Sequence, residues 1–358
     1  MTTGLLARRL GVGFLLVMLG LAPLAGCDND TSDHDNDASN GGGDNGGNDG
    51  GGNDGGGNDD GGSDDGGDNG GDNDNPPTPT LVITSDNATA VLIQSRMALD
   101  LLPRLLVGAN VFYSNSIAVQ GYDDFPPCDN AEGQVQLLGD NPGQPTTLIA
   151  SDCDDLSYPR NFNGRLDLDF SNADDPLSTF TGFAERIQAY DPNLRLSANG
   201  GLRLHPEDPD DYFGIAVAHQ ADIDITLELL PGGSDTPITS LGFDFHDYTS
   251  RYSSSIHFDD VPFPLLSGAG DVTFRGLAEG RVTLTTPRQL TDPDASNPLC
   301  YGDGVIEVEG AEGSSVRLDY NGAQAILSVN GALLASGDCT DLTQQWTSQV
   351  AASLPPYR

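Results

Sequence analysis

The chain contains no lysine, so all fifteen of its basic residues are arginines, and they are set against 54 acidic residues. The formal net charge is −39 and the sequence pI is about 4.1. A surface this acidic repels nucleic-acid phosphates and anionic lipid headgroups, because both carry negative charge. We therefore expect no nucleic acid among its partners.

Recognisable catalytic and metal-binding motifs are also missing from the sequence. There is no Gly-x-Ser-x-Gly nucleophile turn, no glycine-rich phosphate-binding loop and no Cys-x-x-Cys pair. The five histidines do not recur at metal-ligand spacing within one predicted strand or helix. These absences favour a protein that is not an enzyme, with no catalytic residues, no metal site and no cofactor.

The N-terminus has the layout of a bacterial export signal. Arg8 and Arg9 precede an apolar run over residues 10–21, which is shorter than the roughly 20 residues that cross a hydrocarbon core. The next segment, Leu24-Ala25-Gly26-Cys27, resembles the lipobox of bacterial lipoprotein precursors at all four positions. The resemblance implies cleavage before Cys27 and lipidation of the Cys27 thiol and of the new amine.

Two other interpretations of this segment remain open. One is an ordinary signal peptide with an incidental cysteine, and the other is a twin-arginine export signal, although the rest of that motif is missing. Lipid on Cys27 predicts a protein of the cell envelope, anchored on the periplasmic face of the inner or outer membrane or at the cell surface. Asp28 follows the cysteine and favours retention in the inner membrane, as it does in enteric bacteria.

Residues 28–75 consist almost entirely of Asp, Asn and Gly, with fifteen Asp and no Leu, Ile, Val or aromatic residue. Such a segment has no apolar surface to offset its ordering entropy, so we predict a disordered tether with a span of roughly 40 Å. Asp33, Asp35 and Asp37 resemble the start of an EF-hand loop, but Ala38 replaces the required glycine. The tether is therefore predicted to be a solvated linker.

The body that follows opens with a helical pattern. Apolar residues recur every three to four positions between residues 91 and 105, behind a predicted cap at Ser85-Asp86-Asn87. Pro103 is expected to kink or end this helix. The predicted organisation is a signal peptide over residues 1–26, the lipidated cysteine and tether over 27–79, and a single β-rich domain over 80–358.

Most of the body alternates apolar and polar residues with a period of two, which is typical of antiparallel strands with one solvated face. Asn-Gly pairs, a strong hairpin signal, separate several of these runs. The pairs are Asn163-Gly164, Asn199-Gly200, Asn321-Gly322 and Asn330-Gly331. We predict a mainly β fold, in which a large antiparallel meander forms a curled sheet, a sandwich or a partly open barrel with the N-terminal helix packed on it. The pattern resembles β-rich lipoproteins and secreted proteins of unknown function from proteobacteria, and that resemblance implies no activity.

The even number of cysteines in the body favours disulfide bonds in an exported chain. These cysteines are Cys128, Cys153, Cys300 and Cys339. Similar sequences surround each pair, so we interpret residues 128–156 and 300–342 as related units, each closed by its own bond. Two strands return the chain to the first cysteine of the first pair. Four predicted strands separate the second pair, which a flat sheet would hold roughly 14 Å apart, so either the sheet curls or the strands are fewer.

Two segments of the body are candidate sites. A hairpin between the segments of His246 and His257 would bring these histidines together near Asp247 or Asp259, although both also fit ordinary strand positions. The acidic segment His205-Pro206-Glu207-Asp208-Pro209-Asp210-Asp211 is either a calcium loop or a solvated turn. The single tryptophan, Trp346, is expected in the core or at a sheet edge.

Three functions remain open on the sequence alone. The first is a non-enzymatic envelope lipoprotein whose β domain has a structural or binding role, with an envelope protein as partner. The second is a carrier that holds a lipid or other apolar ligand in a cavity under the early helix. The third is a hydrolase with a dispersed site, for which the sequence offers no positive evidence.

Overall fold

The computed structural model describes residues 78–120, 128–129, 132–139, 146–154, 160–172, 175–187, 193–207, 215–230, 235–253, 263–294 and 297–353. The predicted signal peptide, Cys27 and the tether lie outside these residues, as do His34, His257 and Asp259.

In the part of the chain that the structure describes, thirteen strands form one antiparallel sheet in which each strand pairs with its neighbours in the sequence. The strands are β1 (Gln134–Leu138), β2 (Thr147–Asp154), β3 (Arg160–Asp169), β4 (Leu177–Ile187), β5 (Asn193–Pro206), β6 (Ile215–Leu230), β7 (Thr239–Ser253), β8 (Leu265–Arg275), β9 (Gly280–Asp294), β10 (Asn297–Glu309), β11 (Ser315–Asn321), β12 (Gln324–Val329) and β13 (Ala332–Asp338). The described part of the sheet keeps β1 and β13 as two separate edges. The predicted mainly β fold, a large antiparallel meander with an N-terminal helix, is confirmed.

The N-terminal helix, α1 (Ala88–Gln120), lies in the core of the body. Thirteen consecutive residues, 91–103, are buried, so this part of the helix is covered on every side over more than three turns. The helix contacts β1, β7, β8, β10 and β11. Because one helix reaches strands that lie so far apart in the sheet order, the sheet curls around it.

Pro103 does not end this helix, which continues to Gln120. A proline in a helix interior removes one backbone hydrogen bond and costs about 3 kcal/mol in isolation. Burial of the surrounding apolar residues compensates for this loss, since packing supplies most of the stability of helices in proteins. The predicted boundary at Asn87 is right, although the Asn87 side chain accepts a hydrogen bond from the Thr84 N–H (2.8 Å) in the preceding turn.

A row of β-bulges crosses the sheet from β2 to β8 and explains how it bends. Each of these strands has one interior residue with positive φ, and the pairing register shifts at or beside most of these residues. The residues are Asp152, Gly164, Gly182, Gly200, Gln220, Asp247 and Gly270. Bulges bend a strand and increase its local twist, so a row of them allows the sheet to wrap around α1.

Two of the four predicted Asn-Gly turns are present. Asn321-Gly322 leads from β11 into β12, and Asn330-Gly331 joins β12 to β13. The prediction was wrong for Asn163-Gly164 and Asn199-Gly200, which lie inside β3 and β5. There the glycine lies across from or beside a bulge in a neighbouring strand, and its own strand continues beyond it.

The asparagines of these two internal pairs support bulges in neighbouring strands. Asn163 Oδ1 accepts a hydrogen bond from the Asp152 N–H (2.8 Å), and Asn199 Oδ1 accepts one from the Gly182 N–H (2.7 Å). Gly164 has φ +95°, and a Cβ there would lie 2.1 Å from the Gly182 carbonyl oxygen. The Asn-Gly pair therefore provides a capping side chain together with a residue that allows two backbones to approach closely.

Both predicted disulfide pairings are present, with Cα–Cα distances of 5.1 Å for Cys128–Cys153 and 5.9 Å for Cys300–Cys339. Cys300 lies in β10 and Cys339 directly follows β13, so the two cysteines span the four predicted strands. The bond therefore forms because the sheet curls, and the predicted number of strands was right. The turn between β11 and β12 is hydrogen-bonded to the chain near both cysteines of the second disulfide. Its Gly322 N–H donates to the Gly302 carbonyl, close to Cys300, and its Ala323 carbonyl accepts from the Cys339 N–H.

A second helix, α2 (Cys339–Ser353), was not predicted from the sequence. It contacts β10, β12, β13 and α1, and its Leu342 and Trp346 are buried. Trp346 is therefore a core residue, as expected. The spacing of Cys339, Leu342 and Trp346 fits one helical face, but polar residues dominate the rest of the segment. Neither α1 nor α2, as described, combines the length and apolar character needed to cross a bilayer.

Candidate functional site

Asp175, His205 and His219 come together on one side of the sheet. Asp175 precedes β4, His205 lies near the end of β5, and His219 lies near the start of β6. In the β5–β6 register Arg203 is opposite His219 and His205 is opposite Val217, so the two histidines are diagonal neighbours. Such neighbours on adjacent strands lie within reach of each other's long side chains.

The three side chains meet through one carboxylate oxygen. Asp175 Oδ1 lies 2.8 Å from His219 Nε2 and 3.7 Å from His205 Nδ1. The two imidazole rings are 5.2 Å apart between centroids, with an interplanar angle of 70°. The side chains are 23 % exposed for Asp175, 36 % for His205 and 24 % for His219. The cluster is thus partly shielded by protein and still open to solvent.

Arg203 holds Asp175 from the other side. Its NH1 group donates to the Asp175 carbonyl oxygen (3.0 Å) and lies 3.9 Å from Oδ2, while its Nε donates to Gln220 Oε1 (3.2 Å). Burial raises the pKa of the Asp175 carboxyl, but the hydrogen bond and charge of His219, with the charge of Arg203, outweigh it. The pKa of Asp175 therefore lies below its ordinary value.

Two imidazoles and a carboxylate form a donor set that suits divalent transition metals. Each of the three residues offers one ligand atom, and these atoms all lie within 4.8 Å of one another. In a tetrahedral zinc site with bonds of about 2.0–2.2 Å, neighbouring ligand atoms lie about 3.3 Å apart. The separations of 2.8 and 3.7 Å from Asp175 Oδ1 lie on either side of that value.

The sequence did not reveal this cluster, because its members are far apart in the chain and lie on different strands or beside them. Interpreting Asn199-Gly200 as a turn also placed the hairpin in the wrong position. The correct hairpin has its loop between His205 and His219, which makes the two histidines neighbours. A correct hairpin register was therefore the information that could have identified them.

The acidic segment proposed as a calcium loop is only partly described. Glu207 forms an ion pair with Arg251, with a 2.8 Å hydrogen bond from NH2 to Oε2. The hydrogen bond from Arg251 lowers the pKa of Glu207. Asp208, Asp210 and Asp211 lie outside the described residues, so the calcium loop stays a prediction.

His246, the other histidine candidate, lies on β7 opposite Asp271 of β8. Its Nε2 is 3.1 Å from Asp244 Oδ2 and 3.2 Å from the NH2 group of Arg281. The neighbouring Asp247 occupies a bulge, and its N–H donates to Asp222 Oδ1 (3.2 Å). The predicted partners His257 and Asp259 are outside the described residues, so their approach to His246 stays a prediction.

The core contains a charged group along α1, formed by Arg96, Asp100 and Arg104 at successive turns. Arg104 Nε donates to Asp100 Oδ2 (2.5 Å), and Arg96 NH2 donates to the Tyr301 hydroxyl (2.9 Å). Burial raises the pKa of Tyr301 to about 12, although the charge of Arg96 opposes this shift. Removal of one member would leave a buried charge without its partner, which is costly.

A second buried ion pair joins Arg160 and Glu185, whose NH1 and Oε1 atoms are 2.6 Å apart. Glu185 packs against Gly108 of α1, where an added Cβ would lie 2.7 Å from Glu185 Oε2. The glycine thus allows the carboxylate to lie directly against the helix. The hydrogen bond from Arg96 to Tyr301 and the contact of Glu185 with Gly108 both join α1 to the sheet.

No protein-family model, curated protein or solved structure matches this chain significantly. A functional proposal therefore depends on the chemistry of the residues described above.

Proposed function

We propose that the protein is a lipid-anchored component of the bacterial cell envelope, whose β body has a structural or binding role and is not an enzyme. The lipobox-like segment Leu24-Ala25-Gly26-Cys27 is the observation that carries the anchoring. The acidic residues 28–75 support a spacer between the lipid and the body. Two disulfide bonds in the body fit an oxidising compartment.

The packing of α1 supports a binding role at the surface of the body. A carrier of an apolar ligand needs a cavity beside this helix, and small-molecule pockets have volumes of roughly 300–1,000 Å³. A cavity between α1, β10, β11 and α2, lined in part by Leu92, Arg96 and Trp346, has a volume of about 10 Å³. This is room for about one water molecule. Carriage of a lipid or other apolar ligand is the alternative, and in this cavity it requires α1 to move.

The charge of the body supports the choice of partner. Without Arg8, Arg9 and the fifteen tether carboxylates, 13 Arg remain against 39 acidic residues, a formal charge of −26. Such a surface attracts cations and basic protein surfaces and repels nucleic acid. We therefore favour an envelope protein or a cation as the binding partner, with the membrane contacted only through the N-terminal lipid.

Metabolic labelling with palmitate tests the anchoring directly. The wild-type chain is expected to incorporate label and to remain in the membrane fraction, whereas Cys27→Ala is expected to lose the label and to retain its signal peptide. Asp28→Ser leaves the four lipobox positions intact, so it serves as the control and should be labelled like wild type. Palmitate incorporation that persists in Cys27→Ala would contradict the proposal.

A further inference from the structure

We infer that Asp175, His205 and His219 form a binding site for a divalent transition-metal ion of the zinc type. This site goes beyond the proposed anchoring, since lipid attachment at Cys27 does not require it. The inference rests on three side chains that come from separate segments of the chain and can each ligate a metal. One ligand atom from each of them lies within 4.8 Å of the other two.

The backbone holds the donors in place. Pairing of β5 with β6 fixes the relative positions of His205 and His219. The Leu204 N–H donates to the Pro176 carbonyl (3.2 Å), which holds the segment bearing Asp175 against β5. Donors on paired strands are positioned more precisely than donors on free loops, so little of the binding free energy is needed to assemble the site.

The geometry of Asp175 fits a metal ligand better than a simple ion-pair partner of Arg203. The short contact from Arg203 goes to the Asp175 backbone carbonyl (3.0 Å), whereas its distance to Oδ2 is 3.9 Å. The other oxygen, Oδ1, faces both imidazoles. Arg203 thus acts as a positioning residue that orients the carboxylate, as outer-shell partners do in metal sites.

The positive charge of Arg203 opposes a cation at this site, but the surroundings favour one. The body carries a formal charge of −26 after removal of the signal peptide and tether, which raises the local concentration of cations. The hydrogen-bond distance of 2.8 Å between Asp175 and His219 would open to about 3.3 Å when an ion replaces the shared proton.

The donor chemistry selects the class of ion. Calcium and magnesium prefer oxygen ligands in larger numbers, whereas imidazole suits zinc, copper, nickel and cobalt. The three donors found among the described residues leave at least one coordination position for water. We therefore expect a partly exposed site that binds Zn²⁺ or Co²⁺ exchangeably and does not prefer Ca²⁺.

The test uses the full chain, purified in detergent and stripped of metal by a chelator. Zn²⁺ affinity is measured by competition with a chromophoric chelator, and Co²⁺ is followed by its visible d–d absorption. Wild type is expected to bind one ion tightly per chain, while His205→Ala and His219→Ala each bind at least about tenfold more weakly and lose the cobalt spectrum. Excess Ca²⁺ should not displace Zn²⁺.

His246→Ala is the matched control, because His246 also lies on a strand and contacts an aspartate but has no second histidine among the described residues within such a cluster. The tether carboxylates are present in every variant, so they contribute equally to weak binding. Circular dichroism establishes that each variant is folded. Equal Zn²⁺ affinity in wild type, His205→Ala and His219→Ala would overturn the inference, as would equal weakening in His246→Ala.

Discussion

Two regions of the sheet use the same dipeptide in opposite ways. In the first region, β2 to β5, the Asn-Gly pairs at residues 163–164 and 199–200 lie inside strands, next to bulges in the neighbouring strands. In the second region, β10 to β13, the pairs at residues 321–322 and 330–331 lie at turns between strands. The local sequence is identical, so the difference arises from what faces the glycine across the sheet.

The surroundings of the glycines show this difference directly. A Cβ on Gly164 or Gly200 would lie 2.1 or 2.2 Å from a backbone oxygen of the neighbouring strand, whereas a Cβ on Gly322 or Gly331 would meet nothing within 4 Å. Glycine in the first region therefore permits close packing of two backbones. In the second region it only provides positive φ for a tight turn.

Alanine substitutions of the glycines should give the largest difference in stability between the two regions. Gly164→Ala is expected to lower the free energy of unfolding by about 3 kcal/mol or more, because backbone strain adds to a clash with Gly182. Gly331→Ala should cost about 1 kcal/mol, since only the positive φ opposes it. Urea unfolding of the two variants measures the difference, and equal losses would contradict the distinction between a glycine inside a strand and a glycine at a turn.

Alkaline pH should destabilise the protein through two buried tyrosines of the second region. Burial raises the pKa of Tyr301 to about 12 and also raises the pKa of Tyr320, whereas an unfolded tyrosine titrates near 10. Above pH 10 the unfolded state therefore loses protons that the folded state retains, so stability falls as pH rises toward 12.

The expected loss between pH 10 and 12 is about 2 kcal/mol for Tyr301 alone. Urea midpoints measured across this range check the loss, and tyrosinate absorbance reports the ionisation. Tyr301→Phe removes the titrating group and should reduce the pH dependence, although it also deletes the partner of Arg96. A urea midpoint that stays constant from pH 10 to 12 would show that this tyrosine is not buried as described.

The asparagine side chains should show the smallest effects. Asn199→Ala removes the acceptor for the Gly182 N–H, and Asn330→Ala removes the acceptor for the Ser315 N–H. Both hydrogen bonds are exposed, so each loss is expected to cost about 1 kcal/mol. Similar urea midpoints for the two variants would indicate that Asn performs the same capping role in both regions, while only the glycine differs.

The histidine cluster shows a comparable limit of sequence-based prediction. His205 and His219 were visible as histidines, and the strands that carry them alternate clearly in sequence. Their proximity depends on the β5–β6 register and on a bulge at Gln220, and a shift of one residue in register would turn one histidine to the other face. Asp175 joins them only because the segment before β4 is held against β5.

The sequence by itself indicated the class of the fold, an antiparallel meander, the start of α1 and the preferred pairing of the cysteines. Local periodicity and neighbouring-strand pairing suffice for these features, because each depends on residues close together in the chain or on the similarity of two short segments. Only the tertiary structure decided that the sheet curls around α1, that two Asn-Gly pairs lie inside strands beside bulges and that three ligand side chains meet. These features depend on contacts between residues that are distant in sequence, and the close packing around each contact selects among conformations that the local sequence equally allows.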